Sequence, residues 1–231
     1  MRPRHLISIL LLPLVAAGCL HRTTHVVGSV TTAGTTTVAA PTQHLTVFRV
    51  VGGHLTAQDV GVPQTEAVAA ASLKALGIDA NVTISNGTAT VDLANATPEQ
   101  VAEVVYTLTQ YSTVQRVDVG GRTGVTRADE TQYLPPISIE LPAAGATVSK
   151  TFHVVGTAMV FEATFVLELK IGGDVAVKKT VTASAGAPSR GFFDVALTSP
   201  SSGSAELVAF EPSAADGSPL HTVTVPLTIG P

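Results

Sequence analysis

Residues 97–108 read Thr97-Pro98-Glu99-Gln100-Val101-Ala102-Glu103-Val104-Val105-Tyr106-Thr107-Leu108, and they specify a helix together with the face it buries. Thr97 is a helix N-cap, Pro98 suits the first helical position, and Gln100 stands where it completes a capping box. Val101, Val104, Val105 and Leu108 recur at i, i+3, i+4 and i+7, a stripe that must face a core. Glu99 and Glu103 are expected on the exposed side. Downstream, the run at Val114–Val119 reads as a strand ending at Gly120-Gly121. Upstream, two β-rich runs, Asn81–Ser85 and Thr88–Leu93, flank Asn86-Gly87, a strong hairpin signal. Further upstream, Gln64–Leu76 predicts a second helix, with Val68, Ala69, Leu73 and Leu76 on its apolar side and Gly77 as its C-terminal stop. Leu45–Val51 is a β-branched and aromatic run closed by Gly52-Gly53. The expected order over residues 44–126 is therefore β-α-β-β-α-β, an α+β domain.

The runs Thr88–Leu93, Val105–Gln110 and Val114-Gln115-Arg116-Val117 resemble the GerM domain described from spore-germination proteins. The resemblance spans residues 44–126. It implies an extracytoplasmic module, held by a lipid or a helix and akin to ring-building parts of envelope machines. It implies no catalytic residues.

Residues 127–134, with charged Arg127, Asp129 and Glu130 before Leu134-Pro135-Pro136, read as a linker that two prolines stiffen. Beyond it the texture is β-rich, with no helical period. Strands are expected near Ile137–Leu141, Phe152–Thr157, Thr164–Ile171, Val175–Thr182, Phe192–Thr198, Ala205–Phe210 and Thr222–Ile229, with turns at Gly172-Gly173 and Asp216-Gly217. Seven strands over about 100 residues make an immunoglobulin-like sandwich at residues 135–231. Pro135-Pro136-Ile137, the run Gly156–Glu162, Gly191-Phe192-Phe193, Phe210-Glu211 and Asp216-Gly217 resemble the immunoglobulin-like domain, named for bacterial spore germination, that often accompanies GerM domains.

The chain begins with Arg2 and Arg4, continues with an apolar stretch from Leu6 to Ala17, and reaches its single cysteine at Cys19 after Ala17-Gly18. A positive start and an apolar run too short to span a bilayer read as a signal peptide over residues 1–18. The end of the run resembles the lipobox of bacterial lipoproteins, with Ala16 where leucine is commonest. It implies a diacylglyceryl (palmitate-type) lipid on Cys19 and anchoring to the outer face of the cell membrane. Two chains suffice for stable attachment. An ordinary signal that leaves a free thiol is the alternative. Residues 19–43, rich in Thr, Ala, Val and Gly, are expected to be a flexible tether.

Loss of Arg2 and Arg4 with the signal leaves 11 basic against 17 acidic residues. An acidic body has no means of neutralising phosphates, which excludes nucleic acid as a partner. With Cys19 lipidated, no disulfide can form. The chain contains no Gly-x-Ser-x-Gly elbow, no His-Glu-x-x-His and no Ser-x-x-Lys, and Gly120–Gly124 lacks the lysine of a phosphate loop. No catalytic residue, cofactor or metal is therefore expected. His21, His25 and His44 have no nearby carboxylate or thiolate in sequence, and His153 and His221 read as structural residues. Glu162 and Glu211 each follow a phenylalanine in the sandwich, where strand alternation would send Phe inward and Glu to a rim. These two glutamates, and the helix face bearing Glu103 and Tyr106, are the candidate partner-binding residues. The expected function is that of a non-catalytic envelope lipoprotein that binds a protein or cell-wall component. The alternative is a wall hydrolase or envelope-enzyme inhibitor, in which Glu162 and Glu211 would act as paired carboxylates.

Overall fold

A computed structural model describes residues 41–231; Cys19, the expected signal peptide and all of the expected tether but residues 41–43 lie outside the described residues. Four two-residue turns organise the strands: Gly52-Gly53, Asn86-Gly87, Gly120-Gly121 and Gly172-Gly173 all have positive φ at both positions. That geometry matches the twist of an antiparallel hairpin, so each turn folds the chain back on itself. At the first, β1 (Thr42–Val51) pairs with β2 (His54–Pro63) through all ten residues. At the second, β3 (Val82–Ser85) pairs with β4 (Thr88–Val91).

The expected β-α-β-β-α-β order is corrected here. Residues 54–63 form a strand, with Leu55 and Ala57 buried, so the helix follows a hairpin. This helix, α1 (Val68–Ala75), is shorter than expected. It ends in a Schellman motif in which Ile78 N–H donates to Leu73 O and Gly77 N–H to Lys74 O,. The second helix, α2 (Pro98–Leu108), starts with the expected capping box: Gln100 N–H donates to Thr97 Oγ1 and Thr97 N–H to Gln100 Oε1. After it come β5 (Arg116–Val119) and β6 (Arg122–Val125). The sheet order is β3-β4-β5-β6, with β4 and β5 parallel and joined through α2. Strands β1 and β2 make a separate ribbon. Thr42 and Gln43, expected in the tether, belong to β1.

Helix α2 is buried on two sides. Its valine stripe enters a core with Leu73, Leu76, Ala89, Val117 and Val119. On its second side Ala102 and Tyr106 join Phe48, Leu55, Ala57, Leu134 and Ala143 in a separate cluster. Side chains of α2 tie the ribbon to that side: Phe48 N–H donates to Thr107 Oγ1 at 2.9 Å and Val50 N–H to Glu103 Oε1 at 2.8 Å.

Residues 127–134 depart from the expected linker. Arg127–Tyr133 is a 3-10 segment, with Glu130 buried at 1% exposure. Glu130 Oε1 meets Arg122 Nη1 at 2.5 Å as an ion-pair contact outside hydrogen-bond geometry, and Oε2 accepts from Gln132 Nε2. The charged run reads as solvated in sequence because its pairing partner, Arg122, lies in the preceding strand. Ala144 then pairs with the ribbon: Asp59 N–H donates to Ala144 O, and Ala144 N–H to Ala57 O.

The remaining strands follow the expected sandwich closely. They are β7 (Ile137–Leu141), β8 (Thr147–Val148), β9 (Thr151–Ala158), β10 (Thr164–Ile171), β11 (Asp174–Thr182), β12 (Gly191–Thr198), β13 (Gly203–Pro212) and β14 (Pro219–Ile229). One sheet is ordered β11-β10-β13-β14-β8 and the other β12-β9-β7. Phe165 and Phe193 meet edge to face, 4.9 Å apart, inside a core with Leu167, Leu169 and Leu207. The two-residue β8 was not expected; at that length it leaves no alternation to read. Gly156 is obligatory, since a Cβ there would fall 2.0 Å from Ser138 O across the β7–β9 pair.

Candidate binding site

The rim of the sandwich around residues 159–163 collects unusual features. Glu162 and Ala163 have φ of 51° and 60°, and nearby His221 has 53°. Left-handed backbone in non-glycine residues carries strain and persists only where surrounding structure enforces it. Glu211 does the enforcing: its Oε1 accepts from Phe161 N–H at 2.8 Å, and its Oε2 lies 3.7 Å from His221 Nε2. Residues 161–163 therefore form a 3-10 turn instead of continuing a strand. This corrects the expectation that Phe161 points inward. It is 64% exposed, and Leu220, opposite Glu211 in the β13–β14 pair, is 43% exposed.

Of the four candidate partner-binding residues, Glu162 and Glu211 lie together on this rim. Glu162 is exposed; Glu211 is half-buried and already holds the turn. The other two do not make an exposed face. Tyr106 is 2% exposed, with its ring 5.7 Å from that of Phe48 and its hydroxyl donating to Arg127 O. Burial and, against it, the nearby Arg127 charge leave its phenol pKa pushed up to about 12. Glu103 is half-buried under Val50. The reason is the β1–β2 ribbon, whose second strand was not expected and which covers the side of α2 assigned to solvent.

The half-buried carboxyl of Glu103 makes stability depend on pH. Burial raises its pKa above the ordinary 4.5, against the Val50 hydrogen bond and the Arg49 charge, which lower it. Between its unfolded and folded pKa the native state holds more of this proton, so the group's contribution to stability falls as pH rises through the window above 4.5. Glu103→Gln keeps an acceptor for Val50 N–H and carries no titrating charge. Denaturation at pH 4 and pH 7 should show the variant gaining relative to wild type at the higher pH. An unchanged difference would exclude the assigned burial.

A second feature lies where residues 127–134 meet the sandwich. A cleft of about 380 Å³ is lined by Tyr106, Arg127, Thr131, Leu134, Glu140, Thr157, Arg190 and Phe192 among others. Arg127 stacks over Tyr106 and Phe48, its Cζ 4.8 and 5.4 Å from their ring centroids. Its Nη1 donates to Glu140 Oε2 at 2.6 Å, Nε to Thr109 Oγ1 and Nη2 to Tyr106 O. Glu140 reaches it because it sits at an irregularity in the β7–β9 pairing, between Ile139 and Leu141; such bulges re-aim a side chain. Arg190 donates to Pro135 O at 2.9 Å and Thr157 Oγ1 at 3.3 Å, and burial draws its pKa below the ordinary value. Sequence reading singled out neither arginine as a site residue. Neither belongs to a motif, and their neighbours are distant in the chain.

Two further histidines pair with carboxylates: His44 Nδ1 lies 2.6 Å from Asp59 and His153 Nδ1 2.5 Å from Asp194. Among the described residues no group of three His, Cys, Asp or Glu side chains is arranged to hold a metal. Cys19, His21 and His25 lie outside the described residues. Among the described residues no helix is long and apolar enough to cross a membrane.

Two packed sheets with a strained, aromatic-bearing rim place the C-terminal region among immunoglobulin-like sandwich modules. Residues 136–218 match the family model of the immunoglobulin-like domain of bacterial spore germination. No curated protein matches the chain. Among solved structures, a crystal structure of an engineered protein aligns at 19% identity and a TM-score of 0.31, covering 47% of this chain and 24% of that one; a likeness this slight carries no argument about fold or function.

Proposed function

We propose that this protein is a non-catalytic, lipid-anchored envelope protein that binds another protein through the rim of its immunoglobulin-like domain. The observation that supports this most directly is Phe161, 64% exposed on a turn that Glu211 holds in left-handed backbone. An exposed aromatic on a rigid turn is the kind of anchor that dominates protein interfaces, because ordering it on binding costs little. Anchoring at Cys19 and placement on the extracytoplasmic face rest on the Leu6–Cys19 run. Assignment of residues 44–126 to a GerM-like domain rests on the motifs around Thr88–Leu93 and Val105–Gln110. The wall-hydrolase reading has less support, since Glu211, one of its two carboxylates, already accepts the Phe161 N–H.

Site-specific photo-crosslinking of the full chain in its native envelope tests the reading. A crosslinker at Phe161 should give a discrete protein adduct, and one at exposed Val175 on β11 should not. Glu211→Ala should weaken the Phe161 adduct severalfold by releasing the turn. Equal adducts from both positions, or robust wall-fragment hydrolysis abolished by Glu162→Gln, would overturn it.

A further inference from the structure

The cleft beside Arg190 has an unbalanced charge. Arg127 and Glu140 neutralise each other across one wall at 2.6 Å. Arg190 faces the same cavity with only a backbone carbonyl and a threonine hydroxyl as acceptors. Among the described residues no carboxylate lies within ion-pair distance of it, and residues 1–40 contain no acidic side chain. The cleft as a whole therefore carries one uncompensated positive charge. A guanidinium presents five donors in a planar fork, and the two protein bonds of Arg190 hold that fork in place.

The rest of the lining narrows the ligand. Leu134 and Phe192, the latter 54% exposed, supply apolar surface, and Thr131 and Thr157 supply hydroxyls. A dianion such as phosphate would leave one negative charge unmatched and bring it toward Glu140. A single carboxylate matches the excess charge and the fork geometry. The cavity volume, about 380 Å³, sits near the lower end of small-molecule sites, which run from roughly 300 to 1,000 Å³; it accommodates a short segment.

We propose that this cleft binds the C-terminal carboxylate of a peptide ending in an apolar residue, with the carboxylate on Arg190, the apolar side chain against Phe192 and Leu134, and the last peptide group at the Thr131 and Thr157 hydroxyls. The site is separate from the Phe161 rim and does not depend on the rim's role.

Titration of the isotope-labelled full chain in detergent micelles tests this, following the Gly156 and Thr157 amide signals. Three probes are used: acetyl-Ala-Leu with a free carboxylate, its C-terminal amide, and 4-methylpentanoate, which keeps the carboxylate and the apolar group without the peptide. Saturable binding of the acid at roughly 1 mM or tighter, with at least tenfold weaker binding of the other two, is the expected result. Arg190→Gln should weaken the acid at least tenfold. Arg190 also bonds Pro135, so Phe192→Asp provides a second variant at an exposed position; it should abolish binding by repulsion while the melting temperature holds. Equal binding of acid and amide, equal binding of 4-methylpentanoate, no saturable shift, or wild-type affinity in both variants would each overturn the proposal.

Discussion

Val105→Asp is expected to unfold the N-terminal α+β region, with a loss of at least about 4 kcal/mol. Val105 has no exposed surface and lies in the stripe that α2 turns toward Leu73, Ala89 and Val117. A carboxylate there loses its water and finds no partner, whether it stays charged or takes a proton. Domains of this size have about 5–15 kcal/mol of stability in total, so one such change empties much of the folded population. Val105→Ala, which removes volume without adding polarity, should cost about 2–3 kcal/mol. Hydrogen exchange separates the effects by location. Val105→Asp should strip protection from residues 82–125, while residues 165–169 and 205–209, in the sandwich core, keep theirs. Comparable denaturation midpoints for the two substitutions would show that the stripe is not buried as assigned.

The valine stripe was legible because α2 announces itself locally: a threonine cap, a proline, a glutamine three positions on, and a 3.6-residue period. The sandwich was legible for a similar reason. Its expected strands are β-rich runs of five residues or more with no helical period, and Gly172-Gly173 marks the tight turn between β10 and β11. The second strand of the ribbon was not, because Gln58-Asp59-Val60-Gly61 interrupts the alternation of Leu55 and Ala57 with polar and half-buried residues that pair along the backbone. Once that strand is missed, the second buried side of α2 is missed as well, and Tyr106 is assigned to solvent.

The candidate site was half legible for a related physical reason. Glu162 and Glu211 could be placed on a rim because each adjoins an aromatic in a β-rich run. The direction of Phe161 could not, because it depends on one hydrogen bond between residues 50 positions apart. Arg127, Glu140 and Arg190 carry no local pattern at all. They acquire meaning only when the 3-10 segment and the bulged β7 bring them to one cleft, a conjunction of long-range contacts that no window of sequence contains.

Arg127→Ala should destabilise the protein by about 2–3 kcal/mol and weaken the coupling between the α+β region and the sandwich. Two kinds of contact converge on this guanidinium: two aromatic faces, and three hydrogen bonds of which one goes to the Glu140 carboxylate. Phe48 belongs to the ribbon, Tyr106 to α2 and Glu140 to β7, so one side chain bridges both halves. Removal leaves Glu140 without its partner, but its side chain is 20% exposed and water recovers part of that loss, which keeps the figure below the 3–5 kcal/mol of a fully buried pair. Arg127→Lys should restore little, because an ammonium cannot stack on two rings and donate in three directions. In guanidinium denaturation, wild type should unfold in one transition, whereas Arg127→Ala should shift the midpoint down and broaden or split the curve as the sandwich outlasts the α+β region. A double-mutant cycle with Glu140→Gln should return a coupling of about 1 kcal/mol. A single transition at the wild-type midpoint would mean that Leu134, Ala143 and the Ala144 backbone bridge hold the two halves together without this residue.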